Sequence, residues 1–233
     1  MHIPDGLLDP KISTGLIGAA VAVFSYSLSK VREAVTALAP AEAFAAAGNA
    51  VGNITGRMRR VLTANGKTTL YKMGMVAALI FIAQMLDFPV GGGTSGHLMG
   101  GVFAAVLLGP FAGALVMAAV LTVQALFLAD GGVIALGANI VNMALGGTIF
   151  AYFLYYYLKK NAPEWLAIMS ASWTSVMLAS IACALELGFS GVFTLGEVVP
   201  AMVKVHAVIG IAEALITVAL VKLFRTLPAE SGR

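Results

Sequence analysis

The side chains in this sequence best suited to hold a transition metal are three histidines, His2, His97 and His206, and a single cysteine, Cys183. Cys183 sits in an apolar run, which reads as a packed core thiol and excludes both a disulfide framework and a cysteine-based metal site. His2 stands apart by its position. Initiator methionine is trimmed only ahead of small residues, so His2 keeps Met1 in place and leaves a free amine once the chain is deformylated. That amine, the His2 amide nitrogen and His2 Nδ1 can close a five-membered and a six-membered chelate ring around one ion. A second imidazole, from His97, can fill the remaining corner of the plane. Square-planar nitrogen coordination suits Ni(II) and Cu(II), and binding must release protons from the amine and the amide. The competing reading of His2 is a disordered chain start. Pro4-Asp5-Gly6 argues against it, because that triplet favours a compact turn. For His206 the plain reading, a hydrogen-bonded core histidine, comes first, with support of the metal site from behind as the other.

The elements that must position these groups are apolar. Of 233 residues, 60% are hydrophobic and 11% charged, with a mean hydropathy of +0.94. So few charges cannot cover a water-soluble fold, and the composition predicts an all-α polytopic membrane protein with one domain over residues 1–233. Seven apolar segments are predicted: Ser13–Ser29, Met73–Phe88, Leu98–Gly109, Phe111–Ala129, Ala138–Leu158, Glu164–Leu187 and Ala201–Phe224. The third is short against the about 20 residues that cross a bilayer. It follows Gly91-Gly92-Gly93 and is expected to begin below the membrane surface.

With the N-terminus outside and seven crossings, Lys11 and Lys204 fall outside and the other 12 of the 14 basic residues inside. This matches the positive-inside rule. It also explains the net charge of +3 without invoking nucleic acid, and it puts the C-terminus in the cytoplasm. The opening MHIPDGLLDP is turn-rich and polar, unlike a secretory leader. Val35–Thr69 reads as a long cytoplasmic loop, with a helix on the membrane surface as one option. Gly15, Gly18, Ala19 and Ala22 stripe the first helix, for packing within the bundle or against a partner membrane subunit.

Three further polar residues bear on the site. Asn139 and Asn142 either orient His97 or the terminus from behind or make ordinary caps and interhelical bonds. Glu213 lies on the face of His206, about two turns deeper. An intramembrane carboxylate needs a partner, and Glu213 reads as a structural hydrogen bond or as part of coupling to another subunit.

The runs MHIPDGLLDP, GGGTSGHLMGG, ADGGVIALGANIVNMALGG and HAVIGIAEALIT occur in this order. Together they resemble the CbiM/NikM family, substrate-binding membrane subunits of cobalt/nickel energy-coupling-factor (ECF) transporters. The resemblance implies a seven-helix bundle with its N-terminus tucked into the outer face. It implies Met1, His2 and His97 as ligands, through two backbone nitrogens and two imidazoles. It implies a plasma-membrane (inner-membrane) subunit that captures Ni(II) first and Co(II) second and has no permanent cofactor. Its partners would be a coupling transmembrane subunit, ATPase subunits and a small helper membrane protein. The glycine-rich Thr94-Ser95-Gly96-His97 context resembles the nickel type, while the Val35–Thr69 loop is longer than the family pattern. No Walker motif is present, so ATP hydrolysis must come from a partner. The rival classes are an intramembrane metalloenzyme and a stand-alone channel or carrier. The first lacks an HExxH motif and an open coordination position.

Overall fold

Asp9 and Pro10 start the first helix as such residues should: the Asp9 carboxylate accepts from the Lys11 amide at 2.8 Å, and proline occupies the first turn. The computed structural model describes residues 2–40, 58–85, 88–91 and 94–226. Helix α1 spans Pro10–Val35, and α2 spans Ala64–Gln84. Between them, β1 (Thr36–Pro40) pairs antiparallel with β2 (Met58–Leu62), from Thr36↔Leu62 to Pro40↔Met58. A second pair, β3 (Phe88–Gly91) and β4 (Thr94–Gly96), precedes His97. Helix α3 is Gly101–Leu108. Helix α4 is Pro110–Leu128, its last turn, Gln124–Leu128, being π-helical. Helix α5 is Leu136–Leu158, with a π-helical centre at Val141–Phe150. Helices α6 (Glu164–Phe189) and α7 (Leu195–Thr226) follow and pack along each other.

Three expectations need correction. The chain is helical but not all-α, because two short strand pairs close the excursions before α2 and before His97. Helix α2 begins well inside the stretch read as a loop. Its polar opening, Ala64–Thr69, obscured the start, but Thr63 caps it by accepting from the Gly66 amide at 2.9 Å and also donates to the Val35 carbonyl at 3.2 Å. Residues 41–57, where the surface helix was an option, lie outside the described residues. Finally, Gly15 and Gly18 meet nothing within 4 Å of where a Cβ would stand, and Ala19 and Ala22 are exposed too. The small-residue stripe of α1 therefore faces away from the bundle.

Among the described residues, five helices, α1, α4, α5, α6 and α7, are long and apolar enough to cross a membrane. Large apolar side chains such as Val21, Phe127 and Phe153 cover their outer faces. The main core gathers Val76, Ile80, Met99, Phe103, Met117 and Met143. Helix α3 is eight residues long and is bounded by Gly100 and Gly109, both at positive φ (77° and 82°). At about 1.5 Å per residue it covers about 12 Å, well short of a bilayer core, as the sequence suggested. Its N-terminus nests against the π-helical part of α5: a Cβ at Gly101 would collide with the Gly147 carbonyl, and one at Gly147 would stand 2.7 Å from Met99 Sδ. A widened helix at a functional crossing is a recurrent use of π geometry.

Candidate metal centre

The N-terminal segment is strapped to the α4–α5 connection. Ile3 is 1% exposed and fills a cluster with Ala135, Ala138, Cys183, Ala184, Leu187 and Val198. Its amide donates to Asn139 Oδ1 at 2.9 Å, and its carbonyl accepts from Asn139 Nδ2 at 3.2 Å and from the Gly132 amide at 2.8 Å. Two residues on, the Asp5 carboxylate accepts from three successive amides, Val133 at 3.0 Å, Ile134 at 2.8 Å and Ala135 at 3.1 Å. Successive backbone N–H groups of this kind form an anion-binding concavity. Glycine is needed at 132, because a Cβ there would run into Asp5. The Asp9 amide closes the strap by donating to Ser190 Oγ at 3.0 Å.

This strap delivers His2 to His97. The two rings lie 4.8 Å apart between centroids, tilted by 40°, although 94 residues separate them in sequence. His97 Nδ1 donates to the Leu98 carbonyl at 2.9 Å, so its lone pair is on Nε2. His2 Nδ1 stands 2.8 Å from Asp130 Oδ1; the His2 ring is 5% exposed, and its Nε2 has no hydrogen-bond partner among the described residues. Burial pushes the His97 pKa down to about 3, so this ring is neutral and ready as a ligand at any ordinary pH. The hydrogen bond from His2 holds the Asp130 carboxyl below its usual range. Among the described residues no three His, Cys, Asp or Glu side chains converge to hold an ion. Two imidazoles are in place, and further donors must come from elsewhere. Met1 lies outside the described residues.

The other predicted residues divide. Asn139 holds the backbone of the terminal segment. Asn142 instead makes an interhelical bond, Nδ2 to Glu186 Oε2 at 2.8 Å. His206 is a buried core histidine that donates from Nδ1 to the Met202 carbonyl one turn back, at 2.8 Å. Glu213, 1% exposed, accepts from the amides of Met99 and Gly100. Cys183 is buried beneath Ile3. Sequence reasoning missed Asp5 and Asp130 as members of the site, and Gln84, which donates to the Met99 carbonyl at 2.7 Å. Asp5 carried a signal, a carboxylate inside a turn close to the terminus; Gln84 carried none.

Residues 36–230 match the family described as the cobalt uptake substrate-specific transmembrane region, CbiM. The chain belongs to this family. A relative from Archaeoglobus fulgidus, whose name (NikMN) assigns it to fused nickel transport, is 38% identical over 95% of this chain; the match spans 64% of that longer protein. Among solved structures, a transition metal transporter superposes with a TM-score of 0.77 at 27% identity, covering 99% of this chain and 95% of that one. The S-component for biotin from an ECF-type ABC transporter shares the fold, with a TM-score of 0.56 at 22% identity over 72% of this chain and 96% of that one. The CbiM family is the one that the runs around Met1-His2 and His97 resemble.

Proposed function

We propose that this chain is the substrate-capturing membrane subunit of an ECF-type uptake transporter, taking Ni(II) first and Co(II) second. The observation that carries the reading is the meeting of His2 and His97 at 4.8 Å on a terminal segment pinned by Asn139 and Asp5. The segment is held by contacts that need no metal, so the cost of ordering it is met before the ion arrives. The ion is the cargo. Its ligands are the Met1 amine, the His2 amide nitrogen, His2 Nδ1 and His97 Nε2. Because His2 Nδ1 now rests against Asp130, capture at Nδ1 breaks that contact and moves the ring's proton to Nε2. Nε2 then needs an acceptor, as metal-bound histidines generally do, and Asp130, already beside the ring, is the candidate once the ring turns.

The rest of the assignment follows the same reading. The helices form a seven-helix bundle in the plasma membrane, with the N-terminus and the metal centre outside and the C-terminus in the cytoplasm; residues 36–63 link the first two helices on the cytoplasmic side. The chain is a transport component rather than an enzyme, and ATPase subunits drive it through a coupling transmembrane subunit, with a small helper protein alongside. The outward-facing stripe of Gly15, Gly18, Ala19 and Ala22 offers that subunit a close helix approach. The test is calorimetry with Ni(II) on native-terminus protein and on protein with one residue added before Met1. The extended protein should fold normally and lose nickel binding; undiminished affinity would sink the chelate.

A further inference from the structure

Residues 97–100 are irregular backbone enclosed by helices, where every N–H and C=O needs an internal partner. The partners are side chains from separate elements. The Met99 amide donates to Glu213 Oε2 at 2.9 Å and the Gly100 amide to Glu213 Oε1 at 2.8 Å. On the opposite side, Gln84 Nε2 donates to the Met99 carbonyl at 2.7 Å. Glu213 is 1% exposed and Gln84 2%. The path has no slack: Gly100 is at φ +77° with Ile80 Cγ1 2.9 Å from where a Cβ would stand, and Gly101 abuts the Gly147 carbonyl. The His97 ring is tied to this segment in turn, through Nδ1 to the Leu98 carbonyl, the other end of the peptide whose N–H Glu213 receives.

We infer that Glu213 is a positioning residue: with Gln84 as the opposing jaw, it clamps the Met99–Gly100 backbone and so sets where His97 presents Nε2 to the ion. This rests on the reading of His97 as a ligand. Glu213 acts through backbone two and three residues beyond His97, and the clamp makes the hold on the ion depend on where α7 lies relative to α2. Each carboxylate oxygen takes one amide. A carboxamide can satisfy one of them and turns an N–H2 toward the other, so Glu213→Gln keeps the shape of the side chain and breaks half of the clamp.

The test uses full-length, native-terminus protein with Ni(II) alone as probe. It measures affinity by calorimetry, dissociation by stopped-flow transfer to a chelator, and metal-free Tm. Glu213→Gln should weaken nickel binding about 10- to 100-fold, the range for residues that orient a ligand, mainly through faster dissociation. In a His97→Ala background the same substitution should cost nothing further, because its effect runs through His97. Gln84→Leu should weaken binding about three- to tenfold, and carries the same double-mutant test should Glu213→Gln fail to fold. Wild-type affinity in both Glu213→Gln and Gln84→Leu, or losses that add in full to that of His97→Ala, would overturn the clamp while leaving the metal centre standing. A His97→Ala protein that binds nickel like the wild type would remove His97 from the ligand set, and the clamp with it.

Discussion

At the end of the bundle that carries residues 2–9, four polar side chains are spent on backbone. Asp5 takes three amides, Asn139 both polar groups of Ile3, and Glu213 from within α7 and Gln84 from the last turn of α2 reach the Met99–Gly100 backbone. At the other end, three are spent on one another. Glu164 receives Tyr155 Oη at 2.6 Å and both terminal nitrogens of Arg225 at 2.8 and 3.1 Å, with Arg225 and Glu164 47% and 46% exposed. The difference is one of consequence. Removing a side chain that satisfies buried backbone strands an amide with no water to turn to; removing one partner of an exposed pair hands the other to solvent. The first arrangement can hold a coordination geometry to a fraction of an ångström, and the second can only trim the stability of a helix end.

The comparison breaks most visibly at His97. Replacing His97 with Ala should cost more than about 100-fold in nickel affinity, beyond what supporting residues contribute, while His206→Ala should stay within about threefold, since its ring bonds within its own helix. Calorimetry on the two variants decides; equal losses would place His206 among the ligands. His97 also marks this end in the metal-free protein. Its pKa falls from 6.5 to about 3 on folding, so the unfolded chain binds its proton first. Its contribution to stability is full above pH 6.5 and is lost as pH falls toward 3. A His97→Asn variant should therefore show a flatter decline of Tm with acid across that window.

Asp5→Ala comes next. The three amides it serves are partly reachable by water, so the fold should survive, but the strap that delivers His2 loosens. Nickel affinity should drop about tenfold, and amide exchange at Val133–Ala135 should quicken. Unchanged exchange with unchanged affinity would mean that Asn139 and Ile3 hold the segment alone. The smallest effect belongs to the opposite end. Arg225→Ala should leave nickel binding unaltered and shift stability by less than about 1 kcal/mol, the usual range for an exposed pair. A larger loss in a thermal melt would show that this network is more than surface trim.

Much of this was legible in the residues. Apolar runs marked the helices, the shortest run held the eight-residue α3, and the Met1-His2 start pointed to His97, whose ring lies beside that of His2. What stayed hidden has a common cause. Asp5 with Val133, His2 with Asp130, and Glu213 with Met99 are contacts across more than 100 residues, and no local period encodes them. Asn139 and Asn142 are chemically identical and three positions apart; only the fold decides that one serves the terminal segment and the other Glu186. The stripe on α1 had the spacing of a packing motif, and spacing says nothing about which side of a helix faces its neighbours.

The central claim, that backbone nitrogens at the chain start complete a square plane with His2 and His97, is tested most directly by the absorption and magnetic behaviour of Ni(II) bound to native-terminus protein. Four nitrogens that include a deprotonated amide form a strong planar field. The account predicts a yellow-to-orange, diamagnetic complex that Zn(II), which prefers a tetrahedron, displaces poorly. A paramagnetic six-coordinate nickel spectrum, or zinc outcompeting nickel, would contradict it.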